Sequence, residues 1–272
     1  SVSCFDGQTH AVFLPQKHRP EAKAFWQHSG DLVSSRQAIA LLSSAASLDA
    51  TQEKTAIRER VAEIHGCPAD DVWLFPSGMS AISFTHRLFQ KMRPTARSVQ
   101  FGFPYVDILK IQERFANPGA PEVAFYPRGC EEDLKDLEAL ARQEKLQALF
   151  VEIPGNPLLT SPNIIRLGEL TNLYDFPLMV DDTLAACTNL ETLGLADIVC
   201  TSLTKYFSGA GNVIAGALIL NRECRHANTL RELLETEFQD LLYVEDAIVL
   251  EKNPRDFARR LPRTHDNSFE ST

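Results

Sequence analysis

Val72-Trp73-Leu74-Phe75-Pro76-Ser77-Gly78-Met79-Ser80 decides the fold. Four apolar, β-prone residues read as a buried strand and Pro76-Ser77-Gly78 as a turn. Met79 to Met92 then reads as a helix, with Ile82, Phe84, Leu88 and Phe89 on its inner face. The same rhythm recurs downstream. Ser98 to Phe101 is followed by Val106 to Phe115, Glu122 to Phe125 by Leu134 to Arg142, and Ala148 to Ile153 by Ile164 to Leu173. Pro177 to Val180, Asp197 to Cys200 and Val213 to Leu220 read as three further strands. Strands alternating with helices imply an α/β three-layer sandwich, its central sheet mostly parallel and covered on both faces.

Outside this block the pattern changes. Residues 1–48, broken by Pro15, Pro20 and Gly30, read as an irregular N-terminal arm with one or two short helices. Asp49 reads as an N-cap with Gln52 at the capping-box position, opening a helix whose Ile57, Val61 and Ile64 face inward until Gly66 ends it. The large domain is expected over 49–238. Beyond it, 239–272 reads as helical, through Leu241 to Leu250 and Phe257 to Leu261, before a polar tail.

Composition narrows the function. The 272 residues carry a formal net charge of −9. With no dense stripe of Lys or Arg, an acidic chain argues against a nucleic-acid surface and favours small-molecule chemistry. Six scattered cysteines, Cys4, Cys67, Cys130, Cys187, Cys200 and Cys224, form no C-x-x-C pair and no metal-ligand spacing with histidine, so they read as reduced thiols. No run of 18 apolar residues and no signal pattern is found, from which a soluble, cytoplasmic protein is expected.

The polar clusters fall at strand ends, where ligands gather in open α/β sheets. Lys205, in Thr201-Ser202-Leu203-Thr204-Lys205-Tyr206-Phe207-Ser208-Gly209, has the setting of a Schiff-base lysine, whose amine must be shielded from water to be reactive. Upstream, Leu178-Met179-Val180-Asp181-Asp182-Thr183 is an apolar strand ending in carboxylates, one of which could hold a pyridinium nitrogen. The amides of Gly78 and Met79 open a helix and suit a phosphate, although an ordinary serine-capped turn fits the same residues. Ser202 and Thr204 bring two hydroxyls to the lysine; such residues also serve simply as turn formers. Asn156, in Glu152-Ile153-Pro154-Gly155-Asn156-Pro157, could donate to a phenolate oxygen or frame a proline turn. Tyr105, in Gly102-Phe103-Pro104-Tyr105, could stack on an aromatic cofactor or belong to the core.

Taken in order, Ser-Gly-Met, Tyr, Asn-Pro, Val-Asp-Asp-Thr and Ser-x-Thr-Lys resemble the motif set of the cystathionine γ-synthase family. This is the Cys/Met-metabolism branch of the fold-type I pyridoxal phosphate enzymes. The likeness runs from about Arg36 to Arg260 and is greatest to fungal members in Ser98-Val99-Gln100-Phe101-Gly102-Phe103-Pro104-Tyr105-Val106-Asp107. It implies pyridoxal 5′-phosphate as cofactor. Lys205 would be the Schiff-base lysine and proton shuttle, and Asp181 the partner of the pyridine nitrogen. Gly78, Met79, Ser202 and Thr204 would hold the phosphate, Tyr105 would cover the ring, Asn156 would contact the 3′-oxygen, and Asp182 would be a charge behind Asp181. The implied reaction is γ-replacement on an O-acylhomoserine by a thiol such as cysteine, giving cystathionine, in a homodimer or homotetramer. Sulfhydrylation, lyase chemistry and γ-substitution in specialised metabolism belong to the same family.

Two departures leave a second reading open. Family members carry a Tyr-x-Arg that reaches the neighbouring subunit's phosphate, whereas this chain has Ser34-Ser35-Arg36, with Arg36 as the counterpart. Relatives also continue into a C-terminal domain supplying the arginine that grips the substrate carboxylate, and no counterpart is found here. A truncated, impaired paralogue that binds pyridoxal phosphate or only dimerises is the alternative.

Overall fold

The computed structural model describes residues 1–4, 9–43, 48–185 and 188–270, the side chains of 264–270 excepted. A hairpin of β1 (Val2–Cys4) and β2 (His10–Val12) leads into α1 (Arg19–Ser29) and α2 (Ser35–Ser43). Then come α3 (Thr51–His65), β3 (Val72–Phe75), α4 (Gly78–Met92), β4 (Arg97–Phe101), α5 (Val106–Arg114), β5 (Ala124–Tyr126) and α6 (Glu131–Gln143). The chain continues through β6 (Leu146–Glu152), α7 (Ile164–Tyr174), β7 (Leu178–Asp181), β8 (Ile198–Ser202) and β9 (Gly216–Leu220). Helices α8 (Ala227–Glu237), α9 (Val244–Lys252) and α10 (Phe257–Glu270) close it.

Seven strands form one sheet in the order β3-β9-β8-β7-β6-β4-β5. β9 is antiparallel to both its neighbours, and the remaining pairs are parallel. Every residue of β6 is buried, as a central strand covered on both faces requires. The sheet separates two apolar cores. One gathers Ile57 and Val61 of α3, Leu137 of α6, Leu167 of α7 and Val180 of β7. The other gathers Ala81 and Phe89 of α4, Ile108 and Ile111 of α5, Met179 of β7 and Leu234 of α8. Met179 and Val180 therefore point to opposite faces, as the strand's two-residue period dictates. By the same alternation Asp181 shares the α4 face and Asp182 the α3 face.

The sandwich agrees with the expectation from sequence, and the arm differs from it. Residues 1–48 carry a β-hairpin that no periodicity announced, beside two helices, α1 of 11 residues and α2 of 9, where one or two short ones were expected. The N-cap of α3 is Ala50, not Asp49, and makes no side-chain cap. Asp49 acts one residue earlier, its Oδ1 accepting the Thr51 amide (3.0 Å) and hydroxyl (2.7 Å). At the far end, Leu242, Ala247 and Leu250 join the α3-side core. Among the described residues no helix is long and apolar enough to cross a membrane. Cys187 lies outside the described residues.

Candidate active site

A cavity of ≈ 690 Å³ lies at the C-terminal ends of β6, β7 and β8 and the N-terminus of α4. Gly78, Met79, Tyr105, Asn156, Asp181, Ser202, Thr204 and Lys205 all line it, so residues far apart in sequence converge on one space. Arg36 is placed elsewhere. Its guanidinium bonds Asp246 Oδ1 (2.7 Å) and the carbonyl of Asn212 (2.8 Å), clamping α2 to α9 within the chain.

The floor is the start of α4. Ser77 caps the helix, its Oγ accepting the Ser80 amide (3.0 Å) while donating to the carbonyl of Gly30 (2.8 Å). The arm thus braces the cap. With Ser80 N–H bonded to Ser77 Oγ and Ala81 N–H to Ser77 O, the amides of Gly78 and Met79 are the orphan donors of the first turn, aided by the helix dipole. Gly78 lies against Ser202, where an added Cβ would come within 2.9 Å of the serine Cβ. A bulkier residue would close the cradle between the two.

Asp181, 5% exposed, ends β7. Its Oδ1 accepts the amide (3.0 Å) and hydroxyl (2.6 Å) of Thr183, and Thr183 Oγ1 accepts the Ser202 amide (2.8 Å). A hydrogen-bonded chain therefore joins the cradle to the carboxylate. Glu152, its register partner on β6, also lines the cavity. Glu152 Oε2 accepts the amides of Tyr105 (2.5 Å) and Asn156 (3.1 Å), stapling two loops over the site. Burial raises both carboxyls above their ordinary range, and the charge of Asp181 adds to the rise at Glu152. Of the two, Asp181 keeps the lower proton affinity, because the aspartyl carboxyl is intrinsically the more acidic and is held by the Thr183 hydroxyl.

Two expectations are revised. Lys205 is exposed rather than shielded, because its turn follows β8 at the open rim of the cavity beside exposed Tyr206 and Gly209. Thr204 reaches the cavity, but its hydroxyl donates to the Ala215 carbonyl (3.2 Å) and accepts the Ala215 amide (3.1 Å). Its single proton is thus committed to the backbone, leaving Ser202 the better placed hydroxyl. Tyr105 caps α5. Partial burial and then hydrogen bonding to Asp107 push its phenol above the usual range and keep it neutral.

Glu152, Thr183 and Arg260 were not singled out from sequence. The register of β6 against β7 reveals the first, and Thr183 follows directly after the carboxylates. Arg260 comes from α10, and its guanidinium bonds the carbonyls of Tyr206 (3.0 Å), Phe207 (3.0 Å) and Ser208 (3.4 Å) as well as Asp256 Oδ1 (2.6 Å). It occupies the space a side chain at Gly209 would need, which that residue's left-handed φ of +70° also disfavours. Arg260→Met should destabilise the fold by about 1–3 kcal/mol, the range for charged hydrogen bonds lost to buried acceptors. Urea unfolding of the two proteins measures it, with a loss below about 0.5 kcal/mol counting against the brace.

Residues 49–270 match the family model described as Cys/Met metabolism PLP-dependent enzyme. The chain belongs to that family. Residues 3–34 match the fungal trans-sulfuration enzyme N-terminal domain. The chain is 44% identical over 207 residues to a cystathionine gamma-synthase-like enzyme of Amanita muscaria, and 43% identical over 205 residues to the cystathionine gamma-synthase of Neurospora crassa. Each alignment covers 73% of this chain and 32% of the relative, so the chain spans about a third of the length of these curated relatives. Other matching proteins are named for different reactions, among them an alanine racemase and a dechlorinase/desaturase. Among solved structures, metB from Corynebacterium glutamicum superposes with a TM-score of 0.62 at 24% identity, covering 74% of this chain and 50% of that one, which supports the fold.

The family's cofactor is pyridoxal phosphate, and the cavity fits it. Orphan amides and Ser202 stand together at a helix N-terminus, the kind of place that suits a phosphate, a buried carboxylate lies at the end of β7, and an amine stands at the rim.

Proposed function

We propose that this chain forms the cofactor-binding part of an enzyme performing γ-replacement on an O-acylhomoserine, with a thiol such as cysteine as nucleophile and cystathionine as product. The observation that carries the reading is the convergence of Lys205, Asp181 and the α4 N-terminus on one cavity. When bound, pyridoxal phosphate supplies an electron sink for cleaving bonds at the substrate's α-carbon. The chain's own residues do the rest. Gly78 and Met79 amides with Ser202 would hold the phosphate, Asp181 would meet the ring nitrogen, and Tyr105 and Asn156 would orient the ring from loops tied by Glu152. Lys205 would hold the cofactor's aldehyde end and offer, at its Nζ, an amine able to carry a proton.

The proposed reaction belongs to cytoplasmic methionine and cysteine metabolism. A homodimer or homotetramer is the proposed assembly. Exposed Phe13, Trp26, Ile39 and Leu42 in the first 48 residues supply apolar surface for it.

A second reading is that the chain holds the cofactor without turnover. It is favoured by Arg260, the arginine that lines the cavity among the described residues, which bonds three carbonyls and Asp256 rather than pointing its donors toward a substrate carboxylate. One experiment separates the two. Purified protein with pyridoxal phosphate is given O-acetylhomoserine with and without cysteine, and cystathionine and 2-oxobutyrate are quantified. Cystathionine formed only with cysteine supports the synthase. A yellow protein giving neither product supports the second reading, and a protein that takes up no cofactor removes both.

A further inference from the structure

Two buried carboxylates stand in succession at the end of β7. Asp181 faces the cavity, and Asp182, fully buried, faces α3 on the other side of the sheet. Two uncompensated charges so placed would each raise the other's proton affinity, and Asp182 does act on Asp181 in that sense. On the function proposed above, the cavity provides for one of them, since a protonated ring nitrogen would neutralise Asp181. Asp182 is answered from behind, where its Oδ2 meets His65 Nε2 at 3.1 Å. Its Oδ1 has no hydrogen-bond partner among the described residues.

The histidine's other nitrogen fixes the count of protons. His65 Nδ1 lies 2.9 Å from the carbonyl of Val61, which can only accept, so Nδ1 carries hydrogen. The contact between Nε2 and Oδ2 then needs a second proton, on either the imidazole or the carboxyl. In both placements the pair's net charge is zero. The direction of the histidine's titration agrees: burial opposes the imidazolium, but the hydrogen bond and charge of Asp182, with the Val61 carbonyl, outweigh it. The nearby carboxylates Glu63 and Glu191 are exposed in a separate cavity of ≈ 450 Å³ beside His65.

We propose that His65 is a positioning residue for the cofactor. Its pairing with Asp182 at the C-terminal end of α3 keeps that charge neutralised, so that Asp181 stays ionised to meet the ring nitrogen. This rests on the role proposed above for Asp181. The sequence pattern required is an Asp-Asp pair at a strand end with a histidine one layer behind, so that each carboxylate has its own cation on its own face of the sheet.

The test is a charge-swap cycle read by the pH dependence of the pyridoxal phosphate dissociation constant, with thermal midpoints measured alongside. Binding should weaken as pH falls through the value at which free Asp181 takes up its proton, about 6. His65→Gln can still donate to Asp182 but brings no charge, so that break should move up by about one pH unit. Asp182→Asn leaves no charge behind Asp181 and should keep the break within about 0.3 pH unit of the unchanged protein. The double variant should return from the His65→Gln position to that same range, although its thermal midpoint stays low. An unmoved break in His65→Gln, or a double variant no nearer the parent than His65→Gln, would show that the pair only fastens α3 to the sheet. If His65→Gln does not fold, an upward move of about one pH unit in Asp182→Asn alone would equally overturn the idea. Failure of the unchanged protein to bind the cofactor would instead remove the reading of Asp181 on which this one stands.

Discussion

Asp181→Asn is expected to cost this protein its hold on pyridoxal phosphate while leaving the fold in place. Asparagine has the same shape, and its Oδ1 can accept the two bonds that Thr183 now gives, so β7 and the turn after it need not move. What disappears is the charge. At a position 5% exposed, little water is available to replace it. Removing one partner of a buried ion pair costs about 3–5 kcal/mol, and at 1.4 kcal/mol per decade the dissociation constant should rise by about two to four orders of magnitude. Absorbance titration with pyridoxal phosphate measures the constant, and far-ultraviolet circular dichroism checks the fold. A folded variant that binds within threefold of the parent would show that the carboxylate does not face the ring nitrogen. The substitution also reaches Glu152, because a neutral residue at 181 removes the like charge that adds to its raised pKa. The glutamate should then release its proton at lower pH than in the parent, although burial keeps it above the ordinary range.

The parts of this site that could be read in the sequence are those whose chemistry is carried by neighbours along the chain. Val72 to Ser80 announces a strand, a turn and a helix N-terminus together, and α4 begins at Gly78, within one residue of expectation. Lys205 stands among hydroxyls in its own turn, and Asp181 closes an apolar run. What stayed hidden depends on partners brought by the fold. Glu152 acquires its role from lying in register with Asp181 and from two amides of other loops. His65 is a helix-terminal histidine in sequence, and only the alternation of β7 puts Asp182 against it. Arg260 is one basic residue among several near the end, and the turn it braces lies far upstream. The arm's hairpin was illegible for a different reason. It has three residues per strand, too few for alternation to register, and its apolar side chains remain largely exposed, so no inward face marks the period. Thr204 marks the opposite limit: its motif points to a phosphate, yet the return of β9 brings Ala215 close enough to engage its hydroxyl first.

Lys205→Ala should abolish the covalent attachment of the cofactor outright while leaving much of the site able to receive it. A Schiff base needs a primary amine within reach of the aldehyde, and Lys205 is the one lysine among the described residues lining the cavity. Its turn is held at both ends, the Gly209 amide donating to the Lys205 carbonyl (2.8 Å) and Arg260 gripping the carbonyls between them. Truncation at Cβ therefore removes the amine without releasing the loop, and the exposed side chain means that little packing is lost with it. Borohydride treatment of the parent incubated with pyridoxal phosphate should give one stoichiometric adduct, located by mass spectrometry on the peptide containing Lys205. The alanine variant should give less than about a hundredth of that yield at the same cofactor concentration, a difference of roughly 2.7 kcal/mol or more in effective reactivity. The cradle of Gly78, Met79 and Ser202 is untouched by the change. Phosphate-dependent binding should therefore persist in the variant, seen as quenching of Trp73 or Trp26 fluorescence, and weaken again when Gly78 is replaced. A stoichiometric adduct surviving on another lysine would move the covalent site away from the turn after β8, and with it the reading of Asp181 and the α4 N-terminus as parts of one centre.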